Sequence, residues 1–541
     1  MKNRISSLRT YSLDLVEKAR DFIYKLGLPV CSAAVDRLLK GSSWTPTIVS
    51  LVIILYATCL HALNQNTFAK KLQPLGLEPF VMLAVDFLHE FELGVWKAVF
   101  QHLMRILHVA APNSAQVAEL DRRFSANASE MKQLAARNYE DLLQVRHMNL
   151  AHLSRQCAIP VFEGLLPPRE NKIVLTLLYR LAEWHALAKL HMHTEPTLAH
   201  LDKATVVLLT YKAHALGDYV RSIHWFGPSG SFSSQPGEME HHRPKNIYDR
   251  GSKNDPVPQI TRFERRETRF LRTRRHEILL LNPDHVSTHG HQVAFAEDDP
   301  LQEDDATMHH QHRENQTGLN WLEMHPQDIY SFERKFPHDP ATKNFIPKLK
   351  DHLLGRLLGH AYDEREFSPA ERNTVNIRKN QIYSSKIFRV NYTTYDVRRD
   401  QDSMNPRTHC DVMVMSQEAG PNAHRFWYAR VLGVFHAQVV HCGSAAINRS
   451  TQRVEFLWVR WFGIDIDHRY GLKAARLPKI GFVPDTDPLA FGFLDPSLVV
   501  RGTHLIPAFC DGRTLSLLTA SPTAGRPLTE TDDWLAYYVN M

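Results

Sequence analysis

The chain has 541 residues, of which 43% are hydrophobic and 23% charged, and its formal net charge is +6. That balance excludes a disordered or collagen-like class and predicts a folded protein of roughly two to four domains. Six cysteines (Cys31, Cys59, Cys157, Cys410, Cys442, Cys510) are scattered without a CxxC pair, which argues against a disulfide framework or a zinc finger and fits a reducing compartment.

The opening stretch, "MKNRISSLRTYSLDLVEKARDFIYKLG", reads as a charged helix and not as a signal peptide. A helical pattern continues to about residue 45, with Leu13, Val16, Ala19 and Ile23 on one face. The next segment, "TIVSLVIILYATCLHAL" (47–63), is almost wholly apolar. It lies at the short end of what spans a bilayer, about 17 to 25 residues, and Pro46 and His61 weigh against a membrane helix.

Residues 81–107, "VMLAVDFLHEFELGVWKAVFQHLMRIL", read as a buried strand that ends in Asp86 and hands over to an amphipathic helix. Phe91, Val95, Val99, Leu103 and Ile106 are expected to share its buried face. Asp86 has two readings. As an N-cap, its carboxylate accepts the orphan N–H groups of the first turn, with Glu90 favoured there by the helix dipole. As a catalytic acid at a strand end, it would join other carboxylates around divalent metals that activate water or a 3′-hydroxyl, with His89 orienting it or contacting phosphate.

Further along, "KIVLTLLYRLAEWHALAKLHMHT" (172–194) has a 3.6-residue period through Leu175, Leu178, Ala182, His185 and Leu190, so Trp184 and His185 read as core. The Gly-, Pro- and Ser-rich "WFGPSGSFSSQPGEMEHHRPK" (225–245) marks a break. The arginine-dense "RFERRETRFLRTRRHE" (262–277) reads as a helix. Residues 241–275 carry eleven Lys or Arg against four Asp or Glu, an excess larger than that of the whole chain. The candidate phosphate contacts are Arg243, Lys245, Arg262, Arg265, Arg266, Arg269, Arg272, Arg274 and Arg275. The opposing reading is a solvated face in which Glu264 and Glu267 pair with arginines at i,i+4.

The acidic "AEDDPLQEDD" (296–305) sits in a polar stretch taken as a linker over 286–345. His309, His310 and His312 fall there without acid or Cys ligands at metal-site spacing. After the helical "KLKDHLLGRLLGH" (348–360) the pattern changes to strands: "DVMVMS", "RFWYARVLGVF" (425–435), "RVEFLWVRWF" (453–462) and "VVRGTHLIPAF" (499–509). They predict a small antiparallel barrel of SH3- or BAH-like type. Trp427, Tyr428, Trp458 and Trp461 could line an aromatic groove for a chromatin or protein partner, with core packing as the opposing reading.

Nine stretches taken in order, among them "DFLHEFELGVWKAVFQHLMRIL", "IPVFEGLLP", "GEMEHHRPKNIYDR", "TTYDVRRDQDSMNPRTHCDVMV", "FWYARVLGVFH" and "AFGFLDPSLVVRGTHLIPAF", give the chain a likeness to a known family. It resembles the C-terminal portion of the Plavaka-type transposases, CACTA-like DNA transposon proteins of mushroom-forming fungi. The resemblance runs from about residue 10 to the C-terminus. It implies an RNase H-like DDE core with a helical insertion before the last acid, Mg²⁺ or Mn²⁺ as the family's cofactor, DNA as partner, and a nuclear location. Asp86 matches the second acid and His89 the histidine of the D-x-x-H motif. The last acid matches Glu240 or Glu238, Glu240 being the better fit, so Asp86 and Glu240 would be metal ligands.

The departure concerns the first acid. Asp14, Asp21 and Asp36 all fall in helical patterns, so a first-strand acid is missing and the expectation is a catalytically incomplete remnant. The family pattern also passes from "SWTPT" almost directly to "NTFAKKL". Codons 49–65 are therefore read as a retained intron, since Val49-Ser50 can be encoded GTAAGT and Gln65 CAG. Residues 145–156 are a second such case. The expected fold class is α+β: a helical segment with that insert over 1–79, a partial RNase H-like core over 80–285, the linker, and a helix plus small barrel over 346–541.

Overall fold

The computed structural model describes residues 13–29, 32–39, 71, 73–76, 85–110, 115–124, 158–208, 214–235, 237, 242–250, 256–281, 310–313, 326–360, 366–407, 410–418, 423–518, 522–527 and 530–540. The strand expected to end at Asp86, the two segments read as retained introns and most of the linker lie outside the described residues. The chain divides into two compact units, one of residues 1–102 with 183–286 and one of 103–182 with 287–541.

The first unit is helical throughout its described residues. Helices α1 (Leu13–Arg20) and α2 (Ala33–Leu39) meet through Ala19 and Val35, with Phe22, Ile23 and Leu38 around them. A π-helical segment, Leu88–Trp96, runs directly into α3 (Lys97–Ala110), which from Leu103 on belongs to the second unit. Leu88, Phe91, Glu92 and Trp96 are buried in the first part, and Phe100, Leu103 and Leu107 continue the buried face. The step from Phe91 to Trp96 is five residues because hydrogen bonds there span i to i+5. That extra residue rotates the face, so Trp96, Phe100 and Leu107 are buried in place of Val95, Val99 and Ile106, while Phe91 and Leu103 are buried as predicted. Gly94 makes the geometry possible: a Cβ there would stand 2.8 Å from the His89 carbonyl oxygen.

In the second unit α4 (Ala115–Phe124) and α5 (Ala158–Phe162) are joined by Arg123, which is buried and donates from Nη1 to the carbonyls of Val161 (2.9 Å) and Glu163 (2.6 Å). Helix α6 (Pro168–Ala188) crosses the division between the units. The first unit continues with α7 (Glu195–Leu208), α8 (Tyr219–Phe226), α9 (His242–Arg250) and α10 (Pro256–Leu281). Around Trp184 the core is aromatic: the Phe91 ring lies 4.5 Å from it and Tyr219 5.0 Å, edge-on. Trp184 Nε1 donates to Thr205 Oγ1 at 2.8 Å. His185 is fully buried beside Phe87 and Phe91, as the core reading required.

The rest of the second unit is antiparallel sheet with helices. Its elements are β1 (His310–Arg313), β2 (Pro326–Asp328), α11 (Ile329–Arg334), α12 (Phe345–Leu357), α13 (Pro369–Arg372), β3 (Val375–Ser385), β4 (Ile387–Thr393), β5 (Arg399–Met404), β6 (Asp411–Met415), β7 (Phe426–His441), β8 (Gln452–Ile464), β9 (Lys479–Phe482), β10 (Phe491–Leu494), β11 (Val499–Gly502), β12 (His504–Pro507), β13 (Arg513–Thr514), β14 (Asp533–Trp534) and β15 (Tyr537–Asn540). The large sheet runs β11-β6-β7-β8-β9-β15-β12, with β10 on β8, β3 on β7 and β2 on β3. A smaller sheet is ordered β1-β4-β5, and β13 pairs with β14.

Strand β8 is buried almost continuously because both its faces are covered. Val454, Phe456 and Trp458 pack on one side with Phe345, Leu349 and Leu353 of α12. Leu457, Val459 and Trp461 pack on the other with Phe388, Val390 and Met404 of the small sheet. Arg460, fully buried, forms a two-pronged pair with Asp533 (3.0 and 2.9 Å), which also takes Arg526 (3.2 and 3.0 Å).

The α+β class and the strand-rich C-terminal part agree with the expectation, and three finer features differ. The end strands β11 and β12 are not paired with each other, so no closed barrel exists among the described residues. Every described element between 80 and 285 is helical, so an RNase H-like core is not confirmed among the described residues. Residues 326–345, assigned to the linker, are folded: Ile329, Ala341 and Phe345 are buried. Widely spaced single apolar anchors in a polar stretch hid that folding from composition alone.

Candidate functional site

Asp86 stands just ahead of the helical run that begins at Phe87 and leads into the π-helical segment. Its Oδ2 accepts from the His89 amide at 3.3 Å, and its carbonyl from the Glu90 amide at 2.9 Å, as an N-cap does. The same carboxylate reaches a residue far along the chain. Ser234 donates its amide to Oδ1 (3.0 Å) and its hydroxyl to Oδ2 (2.7 Å). His89 Nδ1 also meets Oδ2, and Ser234 Oγ lies 3.2 Å from that ring nitrogen. Burial raises the pKa of Asp86, but the Ser234 hydroxyl and amide and then the His89 side chain and amide outweigh it, holding the carboxyl below its ordinary value.

Asp, His and Ser together invite comparison with a nucleophile relay. The geometry argues against one: serine and carboxylate meet the same ring nitrogen, whereas a relay needs the hydroxyl on Nε2 and the acid on Nδ1. The cluster is an anchor that ties the turn-rich segment to the start of a helix.

A further carboxylate lies on the same helical segment. Glu92 is buried and faces His185 Nε2 (3.4 Å) and Lys189 Nζ (3.3 Å). Tyr219 is fully buried, and no hydrogen-bond partner reaches its hydroxyl among the described residues. Burial first, then the charges of Glu90, Asp86 and Glu92, push its pKa well above the ordinary value.

Glu238 and Glu240 lie outside the described residues, four and six positions after Ser234. Among the described residues no group of three or more His, Cys, Asp or Glu side chains is placed to hold a metal ion. Asp86 itself is a poor start for one. Three donors already converge on Oδ2 and one on Oδ1, and a carboxylate has about four lone-pair directions. The described residues alone therefore do not make up the two-metal centre that the family resemblance implies.

The basic region is a different kind of surface. Along α10, Arg262, Arg265, Arg266, Arg269, Arg272 and Arg274 are all exposed, as is Lys245 on α9. The side chains of Arg243 and Arg275 lie outside the described residues. At about 100° per residue, Arg262, Arg265, Arg266, Arg269 and Arg272 fall within one third of the helix circumference. No described side chain of α10 is buried. Neither Glu264 nor Glu267 has an arginine three or four positions away, so the i,i+4 pairing weighed from sequence is not open to them. Phe263 and Phe270 are exposed on the same helix, Arg266 lying 5.9 Å from the Phe270 ring.

Of the four aromatics assigned to a C-terminal groove, Tyr428 and Trp458 are core, 1% and 4% exposed. Trp427 and Trp461 do line a half-open cleft of about 640 Å³, with Tyr392, Met415 and Leu498. The sequence reading missed Tyr392, whose strand β4 is far away in sequence and is brought near only by sheet packing.

No helix among the described residues is long and apolar enough to cross a membrane. Comparison of the chain with protein families, with curated proteins and with solved structures finds no match.

Proposed function

We propose that this is a transposon-derived DNA-binding protein, akin to the Plavaka or CACTA-like DDE transposases, that contacts the phosphate backbone through α10 and does not itself cleave strands. The observation that supports it best is the exposed arginine stripe on a helix none of whose described side chains is buried. Regularly spaced guanidinium groups on one face can neutralise successive phosphates, release counterions and bind with little sequence preference. In this reading Asp86 keeps the position of a catalytic acid but acts as helix cap and as anchor for Ser234. A nuclear location follows from the same reading.

Fluorescence anisotropy with duplex DNA over a range of salt tests it. Replacing Arg265, Arg266, Arg269 and Arg272 by Ala should weaken binding and flatten the slope of log K against log salt by about 3 to 4, close to 0.9 for each phosphate no longer neutralised. An unchanged slope sinks the proposal. Long-read sequencing of transcripts would test the accompanying intron reading: codons 49–65 spliced out supports it, and Val49-Ser50 codons that do not begin GT rule it out.

A second reading, a partner-binding module in the C-terminal sheets, is favoured by the cleft at Trp427 and Trp461. A fragment starting at residue 370 would lack β2, α11 and α12 and the core they supply, so that reading is tested on the full chain.

A further inference from the structure

The cleft in the second unit is built from β4, the end of β6, the start of β7, β8 and the segment running from β10 into β11. Its distinguishing feature is a corner of two indoles. The Trp427 and Trp461 rings stand 6.4 Å apart at 82°, so they present walls in nearly perpendicular planes. Trp461 is held by the core and is 8% exposed. Trp427 is held by its ring N–H, which donates to Glu418 Oε1 at 3.1 Å. That bond fixes the rotation of the ring and puts a carboxylate beside it.

The short segment carrying Glu418 is itself braced. The Glu418 amide donates to Ser416 Oγ at 3.1 Å, and the Ser416 amide to the Arg425 carbonyl at 2.9 Å. No lysine or arginine is among the described residues that line the cleft. Next to lining residue Val500, the Arg501 guanidinium lies 4.6 Å from the Tyr392 ring centroid, its charge met by Asp402 at 3.3 Å. A cation over an aromatic face with a carboxylate nearby is therefore already present at one margin.

These walls have a chemical preference. Aromatic faces carry negative potential and attract cations, most strongly where water is displaced. A primary ammonium is compact and strongly hydrated, with three N–H donors that an apolar cleft leaves unmet. A quaternary ammonium has no N–H, spreads its charge over methyl groups and gives apolar surface to the indoles. We infer that the Trp427–Trp461 cleft is a binding site for a quaternary ammonium cation, the trimethylated lysine side chain of a partner peptide. This deepens the partner-module reading and is independent of the arginine helix.

The test uses the full chain, titrated by tryptophan fluorescence and calorimetry. The probes are one lysine peptide in three forms (unmodified, trimethylated, and a neutral tert-butyl isostere of the trimethylated side chain), a proline-rich peptide, choline chloride and phosphatidylcholine vesicles. The trimethylated form should bind at least about tenfold more tightly than both the unmodified form and the isostere, a tenfold preference being 1.4 kcal/mol. Trp427→Ala should remove that preference, Trp427→Phe should keep part of it, and Glu418→Gln should weaken the cation about threefold while leaving the isostere unchanged. Choline or vesicles binding as tightly as the trimethylated peptide would overturn the peptide as the occupant.

An isostere that binds as well as the cation, or a proline-rich peptide that binds where the cation does not, overturns the cation site and leaves a partner module standing. No binding by any probe overturns both.

Discussion

A network in the second unit and a helix in the first hold charge in opposite ways. In the second, the charges of the Arg460, Asp533 and Arg526 group are sealed in the sheet and answer one another: both carboxylate oxygens of Asp533 are taken by guanidinium groups, and the Phe482 ring covers Arg460 at 3.7 Å. In the first, charge is spread over open helix surface along α10 or drawn to a capped helix start at Asp86. Satisfied buried charge specifies one packing arrangement; exposed arginine leaves a surface able to meet phosphate. Function is therefore sought at α10 and at the cleft margin, and stability in the sealed network.

Breaking that network should give the largest effect. Asp533→Ala leaves two buried guanidinium groups without their carboxylate, and removing one partner of a buried ion pair costs about 3 to 5 kcal/mol. Denaturant unfolding should show the loss in the transition of the sheet-rich unit, with DNA affinity unchanged where that unit stays folded. A cost under about 1 kcal/mol would mean the group is solvated and the contrast between the units is false.

The next contrast sets one helix against another. In the π-helical segment a Cβ on Gly94 meets a backbone oxygen at 2.8 Å, whereas at Gly355 in α12 nothing stands within 4 Å. Gly94→Ala should therefore destabilise by about 1 to 3 kcal/mol, and Gly355→Ala should stabilise by about 0.5 to 1 kcal/mol, the ordinary helix preference for alanine. Equal effects of one sign in thermal melts would show that residues 88–96 relax to an ordinary α-helix.

How far the sequence led depended on whether a feature was local. Strands β6, β7 and β8 were readable from aromatic and β-branched runs, and the burial of Trp184 and His185 from helical period. The π-helical turn was not, because period counting assumes 3.6 residues throughout and slips by one after Phe91. Asp86 was picked out correctly as a helix start, since capping is encoded within three residues. Its bond to Ser234 was invisible, because nothing local announces a partner 148 positions away. The cleft was half legible: Trp427 and Trp461 stand out in sequence, but Trp458 looks the same there and differs only by pointing to the other face of β8.

Ser234→Ala is the smallest change and bears on what Asp86 does. It removes the hydroxyl bond, the first of the contacts holding the carboxyl below its ordinary pKa, and keeps the amide bond and the cap. In the native protein a lowered carboxyl pKa adds stability above the ordinary carboxylate range, and that stability is lost as pH falls through the folded value. The variant should therefore be less stable by about 1 kcal/mol at neutral pH, with the difference shrinking in acid as both proteins protonate Asp86. Carbon-detected NMR titration should show the Asp86 carboxyl moving upward, since burial would then be less opposed. Asp86→Asn, which keeps a good capping side chain, separates the roles further. If Asp86 is cap and anchor, the amide variant binds DNA as the native chain does and loses at most about 1 kcal/mol of stability. If DNA binding falls in the variant, and chelating divalent metal lowers binding in the native chain but not in the variant, Asp86 is still a metal ligand.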